Sequence, residues 1–316
     1  MKEIFTLKYW KKMGKVLFNA VQSFIDDKCM KLSAALAYYS IFSITPLLLI
    51  IIWVIGFLYG EHLENTNAEQ EILSELGDIL GTEVSLQLHS MMENLSISSQ
   101  SYFGIIIGIG TLIFTSTTVF IEIQDSINRI WDIKPKPKKS WLKFILDRLT
   151  SFSMILGLGF LLITSLLLNS ILLVLINYFN QIIPGISNQM LTKLNLILTF
   201  IVTTSIFGCI FKILPDARVP LKNAIIGAVF TTLLFMLGRY GISVYLQNTT
   251  SISIFGAAGS LILLLMWIYY SAAILYFGAE FTKEYTKLFS GGIQPASYAV
   301  KVEYIEKIKE KPDENK

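Results

Sequence analysis

Charge, cysteine and histidine are all scarce in this chain of 316 residues. Charged residues make up 16% of it, where soluble domains carry roughly 25%. That leaves too little charge to clothe soluble surfaces, and the length reads as one membrane bundle rather than two soluble domains. The two cysteines, Cys29 and Cys209, lie far apart, which gives no disulfide framework and no metal-ligand spacing. His62 and His89 are the only histidines. There is no Ser-His-Asp arrangement, P-loop or dinucleotide fingerprint, so neither an enzyme nor a bound metal or cofactor is expected. Lysine and arginine are missing from Glu61 to Ser101, which holds eight acidic residues. No internal repeat is visible.

What the chain has in quantity is apolar residues, 53% of the total. No charge interrupts residues 32–60, a run longer than the ~20 residues a helix needs to cross a ~30 Å hydrocarbon core. Pro46 lies inside it. A bilayer helix tolerates such a kink where neighbouring helices or hydroxyls such as Ser43 and Thr45 satisfy the freed carbonyl. Further spans are expected at residues 102–123, 149–176, 194–211, 223–246 and 254–281. Of the 26 lysines and arginines, 24 fall on the segments that share a side with the N-terminus. That bias places both termini in the cytoplasm. The expected fold is therefore an all-α membrane protein with six transmembrane helices, N-in and C-in.

The segments outside the spans have characters of their own. Residues 1–31 are lysine-rich, with Val16, Leu17, Ala20, Val21, Phe24 and Ile25 at helical spacing. This predicts an amphipathic helix, and the periodicity fits one lying in the membrane interface as well as one packed on the bundle. Residues 61–101 carry two apolar helical stripes and are expected to form a small extracytoplasmic hairpin between spans 1 and 2. Residues 134–139 alternate Pro and Lys, predicting an extended basic arm. Its lysines, Lys134, Lys136, Lys138 and Lys139, suit anionic lipid head groups, and no RNA-binding module accompanies them. The expected partners are thus membrane lipids and not nucleic acid, with no signal for oligomeric state. Residues 284–316 form a charged tail whose end is expected to be disordered.

The sharpest local pattern lies in the second span. Gly104, Gly108, Thr111, Thr115, Thr118 and Glu122 step by three and four, which puts them on one helical face. Gly104 and Gly108 have a close-packing spacing, and together with the kink at Pro46 they are the expected packing positions. Ionisable groups within spans are costly and point to function by default. Here they are Glu122, Arg239 and Glu280. Both glutamates lie near the inner boundary, where interfacial solvation explains them as well, and Arg239 can snorkel outward. The functional reading makes Glu122, Arg239, Glu280 and the three threonines the wall of a polar path for a lipid, amphiphile or ion. The rival reading is a membrane scaffold that organises envelope partners.

Three quoted segments also resemble a known family. They are Ala34-Ala-Leu-Ala-Tyr-Tyr39 followed by Pro46, Asn128-Arg-Ile-Trp131, and Trp267-Ile-Tyr-Tyr-Ser-Ala272 leading to Gly278-Ala-Glu280. In order and spacing, over most of the chain, they are similar to the YihY/virulence factor BrkB family. The resemblance implies a six-span bacterial inner-membrane protein and little about chemistry. Family members once carried the label of a transfer-RNA-processing ribonuclease. The two histidines, both placed outside the cell membrane, argue against that activity.

The topology is testable by labelling. In a Cys-free background, single cysteines at Glu69 and Asn248 should react with an impermeant reagent on intact cells, whereas those at Lys138 and Asn315 should not. Reversed labelling would contradict the basic-residue argument.

Overall fold

An apolar segment can satisfy its own backbone polar groups only as a helix or within a closed barrel, and helices carry this fold. The computed structural model describes residues 7–43, 86, 102–136, 141, 145, 148–154, 157, 164, 188–247 and 257–303. Its helices are α1 (Leu7–Asp26), α2 (residues 29–43), α3 (Tyr102–Ile130), α4 (residues 148–154), α5 (Asn188–Ile213), α6 (Leu221–Gln247) and α7 (Ala257–Ser290). Among the described residues, three stretches are long and apolar enough to cross a membrane: Lys193–Ile213, Leu221–Ile242 and Ile262–Ser290. Pro46, nearly all of the expected hairpin at 61–101 and most of the expected third span lie outside the described residues.

Helix α7 is the spine, with α6 against one flank and α1 against another. The α6 contact rests on two matched pentapeptides, Gly227-Ala-Val-Phe-Thr231 and Gly278-Ala-Glu-Phe-Thr282. The helices run antiparallel, so the glycine of each copy faces the threonine of the other. A methyl group at Gly227 would overlap the Thr282 hydroxyl, and one at Gly278 would overlap that of Thr231. Each threonine folds its hydroxyl back onto its own helix, Thr231 donating to Gly227 O and Thr282 to Gly278 O, both at 2.7 Å. No buried hydroxyl donor is thereby left open on the seam. Phe230 and Phe281 stack beside it with centroids 3.8 Å apart. The repeat is five residues long and its copies run in opposite directions across the seam.

Helix α7 continues to Ser290, nine residues past the expected end of its span at 281. The extra turns are held by α1. Val16 and Ala20 are buried against Phe281 and Tyr285, and Asn19 Nδ2 donates to Glu284 Oε2 at 3.0 Å. The opposite side of α1 leaves Phe18, Val21 and Ile25 exposed. One helix thus packs on the bundle while presenting a second apolar face outward.

Beyond α7 the chain turns through Gly291 and Gly292, both in the left-handed region at φ 76° and 98°, where a side chain would be strained. It then forms two short strands. β3 (Gln294–Pro295) pairs with β2 (Ala217–Arg218) in the α5–α6 loop, and β4 (Ala299–Lys301) pairs with β1 (Ile133–Pro135) after α3. Both pairings are antiparallel. The expected basic arm is extended at its start, but it does not hang free: Lys136 N donates to Tyr298 O at 2.8 Å. Lys134 and Lys136 are exposed, while Lys138 and Lys139 lie outside the described residues. The first part of the tail is therefore a strap that ties together the ends of α3, α5, α6 and α7.

Substituting Gly278→Ala should lower the melting temperature in detergent, corresponding to about 1–3 kcal/mol of overpacking. Adding Thr231→Ala, which removes the opposing hydroxyl and methyl, should recover part of that loss. Unchanged melting of the single variant would show that the seam is looser than described.

Candidate functional site

Three residues on α7, Tyr276, Glu280 and Lys283, follow spacings of four and three and share one face, turned away from α6. Tyr276 and Glu280 are both 0% exposed. Glu280 Oε1 accepts the Cys29 thiol at 3.7 Å, and its second oxygen, Oε2, receives no donor. One turn on, Lys283 Nζ bridges Asp132 at 3.0 Å and Asp27 at 3.6 Å. Two unusual backbone positions aim these carboxylates: Asp132 has φ 57°, and Lys28, next to Asp27, has φ 55°. Non-glycine residues in that region are uncommon, and holding one there costs about 1–3 kcal/mol. Lys283 thus joins the α1–α2 turn, the end of α3 and α7 at one point.

Helix α3 supplies the facing wall. Ser126 lies beside both Glu122 and Tyr276. Even so, neither the buried Ser126 hydroxyl nor the Tyr276 phenol makes a hydrogen bond of normal geometry. Two residues nearer the strap, Asn128 uses both ends of its amide. Its Nδ2 donates to Asp216 Oδ2 at 2.9 Å, and its Oδ1 accepts from Asp216 N at 2.8 Å. Gln124 Nε2 adds a bond to Asp216 Oδ1 at 3.3 Å. Asp216 O in turn accepts Ala296 N of the strap at 2.9 Å. Trp131, almost wholly buried, donates its indole N–H to Ala279 O at 3.0 Å. The Asn128–Trp131 and Gly278–Glu280 segments are therefore in direct contact, and what joins them is a structural clamp.

The residues singled out in the sequence are dispersed. Glu122 is half-buried on the Ser126–Tyr276 seam, and Glu280 is buried one turn beyond Tyr276. The α3–α7 seam therefore takes in both. Thr111 is exposed, while Thr115 and Thr118 are half-exposed and bond back to carbonyls of their own helix. Thr117, off the expected stripe, is the buried threonine, bonded to Arg148. Gly104 and Gly108 fall on α3, but their surroundings lie outside the described residues. Arg239 is half-buried on α6. Its neighbour Gly238 abuts Tyr270, about 15 Å of helix from Glu280 at 1.5 Å per residue, so Arg239 stands apart from the glutamates. Cys29, Ser126, Tyr276 and Lys283 were not foreseen. The four-and-three spacing around Glu280 was the signal available. Among the described residues, no group of three or more His, Cys, Asp or Glu side chains is placed to hold a metal.

Comparison with known proteins gives a consistent picture. The family described as Virulence factor BrkB matches residues 20–299. A UPF0761 membrane protein of Saccharophagus degradans is 26% identical over 273 residues, covering 86% of this chain and 59% of the relative. One from Psychrobacter sp. is 27% identical over 276 residues, covering 87% and 49%. One from Tolumonas auensis is 26% identical over 258 residues, covering 81% and 80%. The chain thus spans about half to three fifths of the first two relatives and four fifths of the third. No solved structure matches.

Burial, ahead of the nearby Glu280 and Asp27 carboxylates, pushes the Cys29 thiol well above its ordinary value. A raised thiol stays neutral where an exposed one ionises, near pH ~8.5. Maleimide at that pH should label Cys29 in the folded protein far more slowly than in the denatured one. Equal rates would place Cys29 in contact with water.

Proposed function

The chain belongs to the virulence factor BrkB family of membrane proteins, and on that footing we propose that it is a six-span protein of the bacterial inner membrane that moves a lipid, an amphiphile or an ion across the bilayer. Both termini face the cytoplasm in this reading, which puts the strap and the Lys283 junction at the inner surface. The basic-residue bias of the sequence supports that orientation. The observation that carries the transport reading is the α3–α7 seam. The Ser126 hydroxyl and the Tyr276 phenol are buried there without a hydrogen bond of normal geometry, and one oxygen of Glu280 accepts from no donor. Each unpaired buried group costs about 1–3 kcal/mol. A bundle whose task is only structural gains nothing from retaining three of them together. A path that admits water or cargo supplies the missing bonds as it opens.

The test pairs stability with flux. In proteoliposomes, the wild-type protein should move a candidate lipid or cation. Glu122→Gln and Arg239→Ala should abolish that flux with melting nearly unchanged, since a solvated path residue adds little to packing. If the wild-type protein moves none of the candidates, or if the variants unfold with the loss of about 3–5 kcal/mol expected on breaking a buried pair, the scaffold reading takes its place; flux that survives in both variants would instead remove Glu122 and Arg239 from the path.

A further inference from the structure

We propose that Glu280 and Asp27 form an acid–carboxylate pair that holds one exchangeable proton, which makes it the proton-binding site of this protein. Around Lys283 stand three carboxyl groups and one ammonium. Asp132 at 3.0 Å takes the closer contact with Nζ, and Asp27 at 3.6 Å the longer one. Glu280 faces the Asp27 carboxyl within hydrogen-bonding reach. Its own burial is complete, and Oε2 has no donor. One lysine cannot neutralise three carboxylates, and an uncompensated buried anion is too costly to keep. Two facing carboxyls solve this by sharing a proton, with the O–H on the drier member pointing at the ionised, wetter one.

The two members differ in access as that role requires. Glu280 is 0% exposed, whereas the Asp27 side chain is 28% exposed, so Asp27 connects the buried acid to solvent. The groups around the pair are Cys29 at the start of α2, Lys283 on α7 and Asp132 after α3. Tyr276 and Glu122 lie further along the seam. When the site opens, the proton passes from Glu280 to water, giving hydronium and leaving Asp27 and Glu280 both ionised beside Lys283. The related position in the other pentapeptide is Val229, so the carboxyl is an addition to the packing motif, not a part of it. As the site of coupling to a proton gradient, the pair rests on the transport reading; as a proton-binding site, it does not.

Infrared spectroscopy of the full-length protein in detergent at neutral pH tests the pair without any flux measurement. A protonated-carboxyl C=O band should be present, move in heavy water, and disappear in Glu280→Gln while persisting in Glu122→Gln. Should Glu280→Gln fail to fold, wild-type protein carrying ¹³C-carboxyl glutamate supplies the assignment, because the band must then shift. Absence of the band from the wild-type protein, its survival in folded Glu280→Gln, or its indifference to labelled glutamate would overturn the proposal. Loss of flux with the band intact would count against transport alone.

Discussion

The close approach of α6 and α7 is the constraint on which the rest of the structure depends. Bilayer helices gain little from burying apolar surface against one another, because lipid tails are equally apolar, so backbone proximity and van der Waals fit must hold them. Gly227 and Gly278 provide that proximity, and Thr231 and Thr282 fill the space each glycine leaves. The fit is reciprocal, which fixes both register and direction. A shift along the seam would set threonine against a larger residue on both sides at once.

Once that flank of α7 is committed to α6, the Tyr276–Glu280–Lys283 face is left for α3 and the α1–α2 turn. Polar groups that would be expensive against lipid meet other polar groups there. The strap completes the arrangement. By pairing with β1 and β2 it joins the ends of helices that are distant in sequence, and Asp216 and Asn128 lock the α5–α6 loop onto α3. One end of the molecule is thus bound by hydrogen bonds and ion pairs, while the apolar helices beyond it pack through small and aromatic residues. In the proposed transport reading, this firm end frames the path, and the buried polar groups lie just inside it.

Much of the frame was legible in the sequence. Uncharged runs marked the helices now described as α5, α6 and α7, and the amphipathic spacing of residues 16–25 marked α1. The family resemblance drew attention to Asn128–Trp131 and Gly278–Glu280, which proved to touch through Trp131 and Ala279. What stayed hidden depended on partners remote in sequence. The extension of α7 to Ser290 comes from packing on α1, which local hydropathy does not report. The strap is made of two- and three-residue strands, too short for any periodicity to register. Lys283 looked like one tail lysine among several, because nothing local says that Asp27 and Asp132 converge on it. The stripe from Thr111 to Glu122 runs along α3, yet the Thr115 and Thr118 hydroxyls bond back to carbonyls of that helix and Thr111 is exposed. The buried hydroxyls that lack a well-formed hydrogen bond sit one turn further along the same face, at Ser126, and across the seam at Tyr276.

The account stands or falls on water reaching that seam. Ser126→Cys in a Cys-free background, probed in membranes with a small charged methanethiosulfonate, measures this directly, with Leu233→Cys on the exposed apolar flank of α6 as the lipid-facing reference. A polar path predicts that the Ser126→Cys thiol reacts from one side of the membrane and much faster than the Leu233→Cys thiol. A Ser126→Cys thiol as inert as the reference from both sides would mean that the seam is dry, and the transport account would be contradicted.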